Sequence, residues 1–486
     1  MKLRQFNIPL LFFFLLGFNL FFTSCEEEVP EEKIFVNIEI TKLPDKTSFQ
    51  LGEIPVFAGI EVSEVYTDGT KKPISNFNIN WSADIFKKGT TNATVSARQR
   101  NATFEISFDG DLIDTGLPVV YINTKEGAPV NSKDNYVNAT MVIKDGGQKI
   151  SENSLRIRGR GNATWTYPKK PYKLKLDDKA SILGMEEEKD WVLLANYCDK
   201  TLLRTGIAFK LSKLMNFPYT VSDRFVEVVL NGEYLGNYQL AGAVEQGSDR
   251  VDIPKTGYIF ERDGYYLQEP NYFVSSMGIG YSFKNPDPEE ELSTQQWEYI
   301  KNYMNEFENI LNSSTFNDPE NGYAKYIDVT SFIKWFLFHN ILANMDTNPY
   351  LVKSDMGDSK VAMGPVWDFE WSMGIGWYDG PRPRPANYYV WNDYYFSRLL
   401  KDPLFKTKVR EMWESLSITD NILQYIDETS EFLAKSQELN FKRWDIMNIR
   451  VSVGGIPMGS YEKEVECDRQ FFINHMNWLD SEFSKY

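Results

Sequence analysis

Cysteine and histidine are nearly absent from this chain of 486 residues, which contains three Cys and two His. So few cysteines exclude a disulfide framework or a structural thiolate-zinc site. His339 and His475 alone do not supply a metal centre built on several imidazoles. An excess of basic residues is missing as well. Lys and Arg number 52 against 68 Asp and Glu, so the formal charge is −16. That field repels a phosphate backbone at long range and excludes nucleic acid as the main partner. No GxxxxGK[ST] phosphate loop and no internal repeat occurs. Any chemistry therefore runs on carboxylates and cationic side chains.

One long apolar run is present, residues 10–22, behind Lys2 and Arg4. It reads as the core of an export signal over residues 1–24 and is short for a membrane span. Phe22-Thr23-Ser24-Cys25 resembles the lipobox of bacterial lipoproteins, which implies lipidation at Cys25. Glu26, Glu27 and Glu28 follow, resembling the surface-export signal of Bacteroidetes lipoproteins. The expected address is the bacterial cell envelope, as an outer-membrane lipoprotein held through Cys25 and displayed at the surface. Residues 25–32 read as a charged linker.

Beyond the linker, Ile34, Val36, Ile38 and Ile40 alternate with polar residues, as do Ala102, Phe104, Ile106 and Phe108. KLPDKTSFQLGE and YTDGT resemble bacterial immunoglobulin-like domains, which implies an all-β sandwich over residues 33–108. The Gly- and Asp-rich DGDLIDTG leads into a second domain, residues 117–486. Its first part is rich in strands, with a helix near residues 200–215 and a hairpin turning at Asn231-Gly232. From Thr294 onward helical runs dominate, ending in a helix over residues 461–483. Strands followed by helices give an α+β class.

Two segments carry candidate chemistry. LRIRGRGNATWTYPKKPYKLKL puts Arg156, Arg158 and Arg160 on one strand face, and Lys173 and Lys175 on one face of the next strand. Two basic strands around a glycine turn suit a polyphosphate, or simply a solvated basic face. In the second, an apolar helix SFIKWFLFHNILANM delivers Asp346, and a hairpin ending in GPVWDFEW delivers Asp368 and Glu370. Two residues apart on a strand, these two carboxylates project from one face roughly 7 Å apart, as a shared metal or an acid–base pair requires.

RIRGRGNATW, KKPYKLKL, SILGM, WVLLANYCDKTLLRTGIAFKL, RFVEVVLNGEYLGNYQL, RVDI and GPVWDFEWSMG together resemble the CotH family, the atypical protein kinases of the spore-coat type. The resemblance implies a divergent protein-kinase-like domain over residues 117–486. It also implies use of ATP with Mg²⁺ or Mn²⁺ and transfer of phosphate to protein hydroxyls. On that basis Asp346 is the catalytic aspartate, Asp368 and Glu370 hold the metal, and Arg158, Arg160, Lys173 and Lys175 bind the nucleotide. The family often has Asp where Glu370 stands. Asn348 is a candidate metal-ligating asparagine, and Glu245 a candidate partner for a phosphate-binding lysine. Arg204 and Asn196 read as structural, and the stiff basic loop GPRPRP at residues 380–385 as a possible acceptor contact.

Two other functions stay open at this stage. One is a surface binding protein or adhesin on an inactive kinase-like fold, since ATP is scarce outside a cell. The other is a carbohydrate-active enzyme using Asp368 and Glu370 as its acid pair.

Overall fold

The structure, a computed structural model, describes residues 32–286, 293–344, 346, 348–375, 390–451 and 455–486. The export signal, Cys25 and the loop at 380–385 lie outside the described residues. By contact density the chain forms two compact units. One holds residues up to 46 with 57–82 and 92–105, and the other holds 47–56, 83–91 and 106–486.

Described residues up to 112 form strands and no helix: β1 Phe35–Lys42, β2 Ser48–Leu51, β3 Glu61–Tyr66, β4 Lys71–Ile74, β5 Asn78–Asn80, β6 Gly89–Ala97 and β7 Arg100–Leu112. They make a three-stranded sheet, β1-β3-β4, and a four-stranded one, β2-β7-β6-β5. Ile38 and Val62 are buried in the first, whereas Ile34 and Val36 of the alternating run are exposed, so the alternation marks the strand but only part of its inner face.

The larger unit opens with a closed barrel of β8 Val119–Thr124, β9 Val137–Asp145, β10 Gln148–Gly159, β11 Tyr172–Ser181, β12 Glu187–Leu194, β13 Asp223–Leu230 and β14 Glu233–Gly242. The order around it is β10-β11-β12-β14-β13-β8-β9, closed by the parallel pair β8 and β13. Its interior is filled from alternate positions, including Leu155 and Ile157 of β10 and Leu174 and Leu176 of β11. Asn231 (φ 50°) and Gly232 (φ 77°) make the tight turn between β13 and β14, a geometry that Asn-Gly adopts at little cost. Helix α1, Arg204–Leu214, sits in the crossing from β12 to β13.

Beyond the barrel a second sheet is ordered β16-β17-β15-β18-β19, from β15 Tyr258–Arg262, β16 Tyr272–Val274, β17 Gly280–Asn285, β18 Tyr350–Lys353 and β19 Ala362–Met363. Its last two strands come from the helix-rich half of the sequence. The helices are α2 Thr294–Asn312, α3 Val329–Leu342, α4 Phe396–Leu399, α5 Pro403–Ser415, α6 Thr419–Phe432, α7 Ala434–Arg443 and α8 Tyr461–Phe483. Ser293 and Gln296 form a capping box that starts α2, and Asp328 caps α3. Apolar nearly all round, α3 is buried along its length beneath α5, α8 and β19. Among the described residues no helix is long and apolar enough to cross a membrane.

Both histidines belong to this core. His339 stacks on Trp335 at 3.7 Å, and His475 lies against Phe471 and Trp478 with its Nε2 2.6 Å from the carbonyl of Asn340. Burial lowers the basicity of each, that of His475 to about 4. Between pH 6.5 and about 4 the unfolded chain therefore binds protons that the folded chain refuses, so stability falls as pH falls. For His475 the loss amounts to at most about 3 kcal/mol. Thermal melting from pH 7 to 4.5 is expected to show this slope, and replacing both histidines by Gln to flatten it. An unchanged slope in that variant would assign the acid sensitivity to carboxylates.

Candidate active site

A cavity of 320 Å³ lies in the larger unit, with the end of β10 on one side and the loops around β15 and β18 on the other. Arg160, directly after β10, enters from the barrel; Lys169, Asn196 and Tyr197 come from the turns before and after β11 and β12. Glu261, Asp263 and Lys284 enter from the second sheet, and Asp346, Asp368 and Glu370 from the segments flanking β18 and β19.

One buried side chain joins the two acid-bearing segments. The Asn344 amide donates to the backbone carbonyls of Asp346 and Asp368, at 3.1 and 3.2 Å. Its Oδ1 faces the backbone N–H of Asp346 at 3.4 Å. Helix α3 ends in a left-handed residue, Ala343 (φ 47°), which swings Asn344 into this position. Asp368 is itself left-handed (φ 66°) in an irregular segment. The strand expected through WDFE is therefore absent, and Asp368 and Glu370 do not alternate on one face. Asp368 opens to the cavity, whereas Glu370 is buried and accepts the backbone N–H of Cys198 at 2.7 Å.

Asp346, Asp368, Glu370 and Glu261 are held above the ordinary carboxylate range. Burial, and then the charge of Asp368, pushes Asp346 up to about 6. Burial pushes Glu370 to about 7 against the pull of the Cys198 N–H, and Glu261 to about 7 against Lys284, which lies 3.4 Å away. Asp368 shifts up for the same reason, opposed by Arg160. Although water reaches Asp368 through the cavity, protein crowds the rest of its surroundings. Arg160 lies over the Trp367 ring at 5.4 Å, and burial lowers the basicity of its guanidinium against the charge of Asp368. Such a group of acids, short of cations, stands ready for a positive ligand.

The residues read from the sequence separate into two groups. Arg160, Asp346, Asp368 and Glu370 line the one cavity. Arg158, Lys173 and Lys175 are not among its lining residues. They point away from the barrel interior, where Lys173 pairs with Asp190 at 2.9 Å and Arg158 donates to the Lys133 carbonyl. Asn348 lines the cavity and its backbone N–H donates to Asp346 Oδ1 at 3.2 Å. Glu245 pairs with Arg250, not with a lysine. Asn196 donates to Gln239, and Arg204 joins Asp199 to Asp468. Cys198 and Cys467 are not bonded to each other.

Sequence reasoning missed Asn344, Lys169, Glu261 and Lys284. Lys169 is 1% exposed, donates to the Asn237 carbonyl and, at 3.0 Å, to Asn440 Oδ1, and burial lowers its basicity to about 7. Its signal was a lysine just ahead of Lys170-Pro171, outside the alternating strand pattern.

All the acidic donors are hard oxygens. No group of three or more His, Cys, Asp and Glu at metal-binding spacing occurs among the described residues. Carboxylate oxygens are the donors that hard divalent cations such as Mg²⁺ and Mn²⁺ take, and one or two of these acids would hold such an ion. Asp368 is the exposed donor, and Asp346 and Glu370 line the same cavity.

A family model described as CotH kinase protein matches residues 155–479. This chain belongs to the CotH family. The match includes Arg160, Asp346, Asp368 and Glu370 and begins within β10 of the barrel. A stretch of 70 residues is 39% identical to pectate lyase L of Thermoclostridium stercorarium, covering 14% of this chain and 6% of that protein.

Because Asn344 holds both acid-bearing segments of this CotH site, Asn344→Ala leaves two carbonyls and one N–H without their partner. A stability loss of about 1–3 kcal/mol is expected in urea titration. An unchanged urea midpoint would show that water replaces the Asn344 amide at these carbonyls.

Proposed function

We propose that this protein is a protein kinase that transfers phosphate from ATP to Ser or Thr hydroxyls of another protein, with Mg²⁺ or Mn²⁺. The observation that carries the reading is the meeting of Asp346, Asp368 and Arg160 in one cavity, with Asn344 tying the two acids. Membership of a family described as CotH kinase proteins supports it.

In this reading Asp346 accepts a hydrogen bond from the acceptor hydroxyl and takes its proton as the new P–O bond forms and the bond to ADP breaks. Arg160, with its charge fixed over Trp367, holds phosphate oxygens and offsets the charge that spreads over them. Asp368, with Glu370 or Asp346, would hold the cation, which supplies charge neutralisation across the phosphates. Glu261 and Lys284 shape the opposite wall. The protein is anchored in the cell envelope through lipid on Cys25, as an outer-membrane lipoprotein that faces its acceptor at the surface.

Titration calorimetry of the full chain with ATP and either cation tests this. Binding that requires the cation is the expected result. No binding at millimolar ATP with both cations would overturn the kinase and favour a surface binding protein on the same fold.

A further inference from the structure

The cations that the cavity leaves out form a surface of their own. On the outer face of the barrel, Arg156 stands opposite Lys175 and Arg158 opposite Lys173. Arg156 is exposed and the other three are half-buried. Their neighbours Leu155, Ile157, Leu174 and Leu176 face the barrel core, so the outward direction of all four is set by the pleat. On the other side of β11, Asp190 of β12 stands opposite Lys175 and pairs with Lys173 at 2.9 Å, so one carboxylate faces the two lysines and the face stays net cationic in a chain of charge −16.

The cations are also held in place. Arg156 and Arg158 lie over the Tyr136 ring at 5.2 and 5.0 Å, and Arg158 donates to the Lys133 carbonyl. Asp190 fixes Lys173. Guanidinium groups organised in this way have already lost much of the conformational freedom that binding would otherwise remove.

We propose that the outer face of β10 and β11 is a docking rail for an extended acidic segment of the acceptor protein. The proposal rests on the kinase reading for the word acceptor, and on the surface alone for the acidic segment. Its geometry favours a polypeptide over other polyanions. Arg156 and Arg158 occupy alternate positions of β10, roughly 6.7 Å apart, which is the repeat of alternate side chains in an extended peptide. Arg160, one residue past the end of the strand, lines the cavity. Acidic residues on the rail are therefore expected on one side of the accepting hydroxyl in the acceptor sequence. Electrostatic docking of this kind acts on encounter and register more than on the chemical step.

The test uses the full chain and a fluorescein-labelled peptide in which Glu alternates with Ala, read by anisotropy. A Gln-for-Glu peptide and vesicles containing phosphatidylglycerol serve as comparisons, and ATP binding is measured in parallel by calorimetry. The Glu peptide is expected to bind at least about tenfold tighter than the Gln peptide and to weaken steeply with salt. The double variant Arg156→Ser with Lys175→Ser is expected to lose that preference while keeping ATP affinity and melting temperature. Arg156→Lys with Lys175 intact should retain most of it. Equal binding of the two peptides, an unaffected double variant, or vesicle binding without peptide preference would overturn the proposal. Peptide binding without ATP binding would support the acidic-segment site and sink the kinase. ATP binding without peptide preference would do the reverse.

Discussion

On the proposed kinase reading, Asp368→Asn is expected to remove cation-dependent ATP binding and to lower phosphate transfer by about two to three orders of magnitude or more. The protein should meanwhile melt no lower than the parent. The substitution isolates charge. Asn is nearly the size of Asp and is among the few residues that tolerate the left-handed backbone found at position 368, whereas Ala would add strain. The backbone carbonyl that accepts from Asn344 is untouched. Burial already disfavours the ionised Asp368, and its charge raises those of Asp346, Glu370 and Glu261. Removing it relieves that repulsion at the expense of a counter-charge for Arg160.

Lost function with retained or raised stability marks a site whose charges are kept for a ligand. Calorimetry with Mg²⁺ and Mn²⁺ beside a melting curve reads both quantities. Cation-dependent binding that survives in Asp368→Asn would move the principal ligand to Glu370. Its Oε1 is committed to the Cys198 N–H, so that outcome would require the loop at Cys198 to shift when the cation binds.

What could be read ahead of the structure was local in origin. The alternation in LRIRG and YKLKL placed the Arg and Lys side chains on the face opposite Leu and Ile, and the register of β10 with β11 agrees. Asn231-Gly232 marked its hairpin, and α8 spans residues 461–483 as its periodicity required. The end of α3 was legible from its apolar run, which put Asp346 in the segment just beyond it. Which side of the barrel would carry the cavity was not legible. Closure depends on β8 pairing with β13, about a hundred residues further along the chain, and no local pattern encodes it. Alternation sorted inward from outward but gave no sign that the outward Lys173 pairs with Asp190 and does not line the cavity. At WDFE a left-handed Asp368 broke the period of two on which the Asp368–Glu370 spacing relied. Asn344 works by holding backbone carbonyls, a role that leaves no signature in residue type.

Arg204→Met is expected to cost about 3–5 kcal/mol of stability, the largest loss among these single substitutions. Arg204 is 3% exposed and donates to Asp199 and Asp468, and through Nε to the Ser372 carbonyl at 3.0 Å. Asp468 comes from α8, and Ser372 lies two residues past Glu370. One guanidinium thus ties the start of α1, the last helix and the acid-bearing segment of the cavity. Without it two carboxylates stay buried with no cation, which costs more than the ion pairs gain in the intact protein. Burial pushes Asp468 up to about 8 even beside Arg204, and further once the guanidinium is gone. Asp468 then keeps a proton that the unfolded chain releases, so the variant should lose stability as pH rises from 6 to 8. Urea titration at the two pH values reads the slope. Adding Asp468→Leu to Arg204→Met is expected to recover part of the loss and to flatten its pH dependence. A cost under about 1 kcal/mol would show that water reaches this network and screens it as it does a surface pair. The Ser372 contact would then not be what holds Glu370 in the cavity wall.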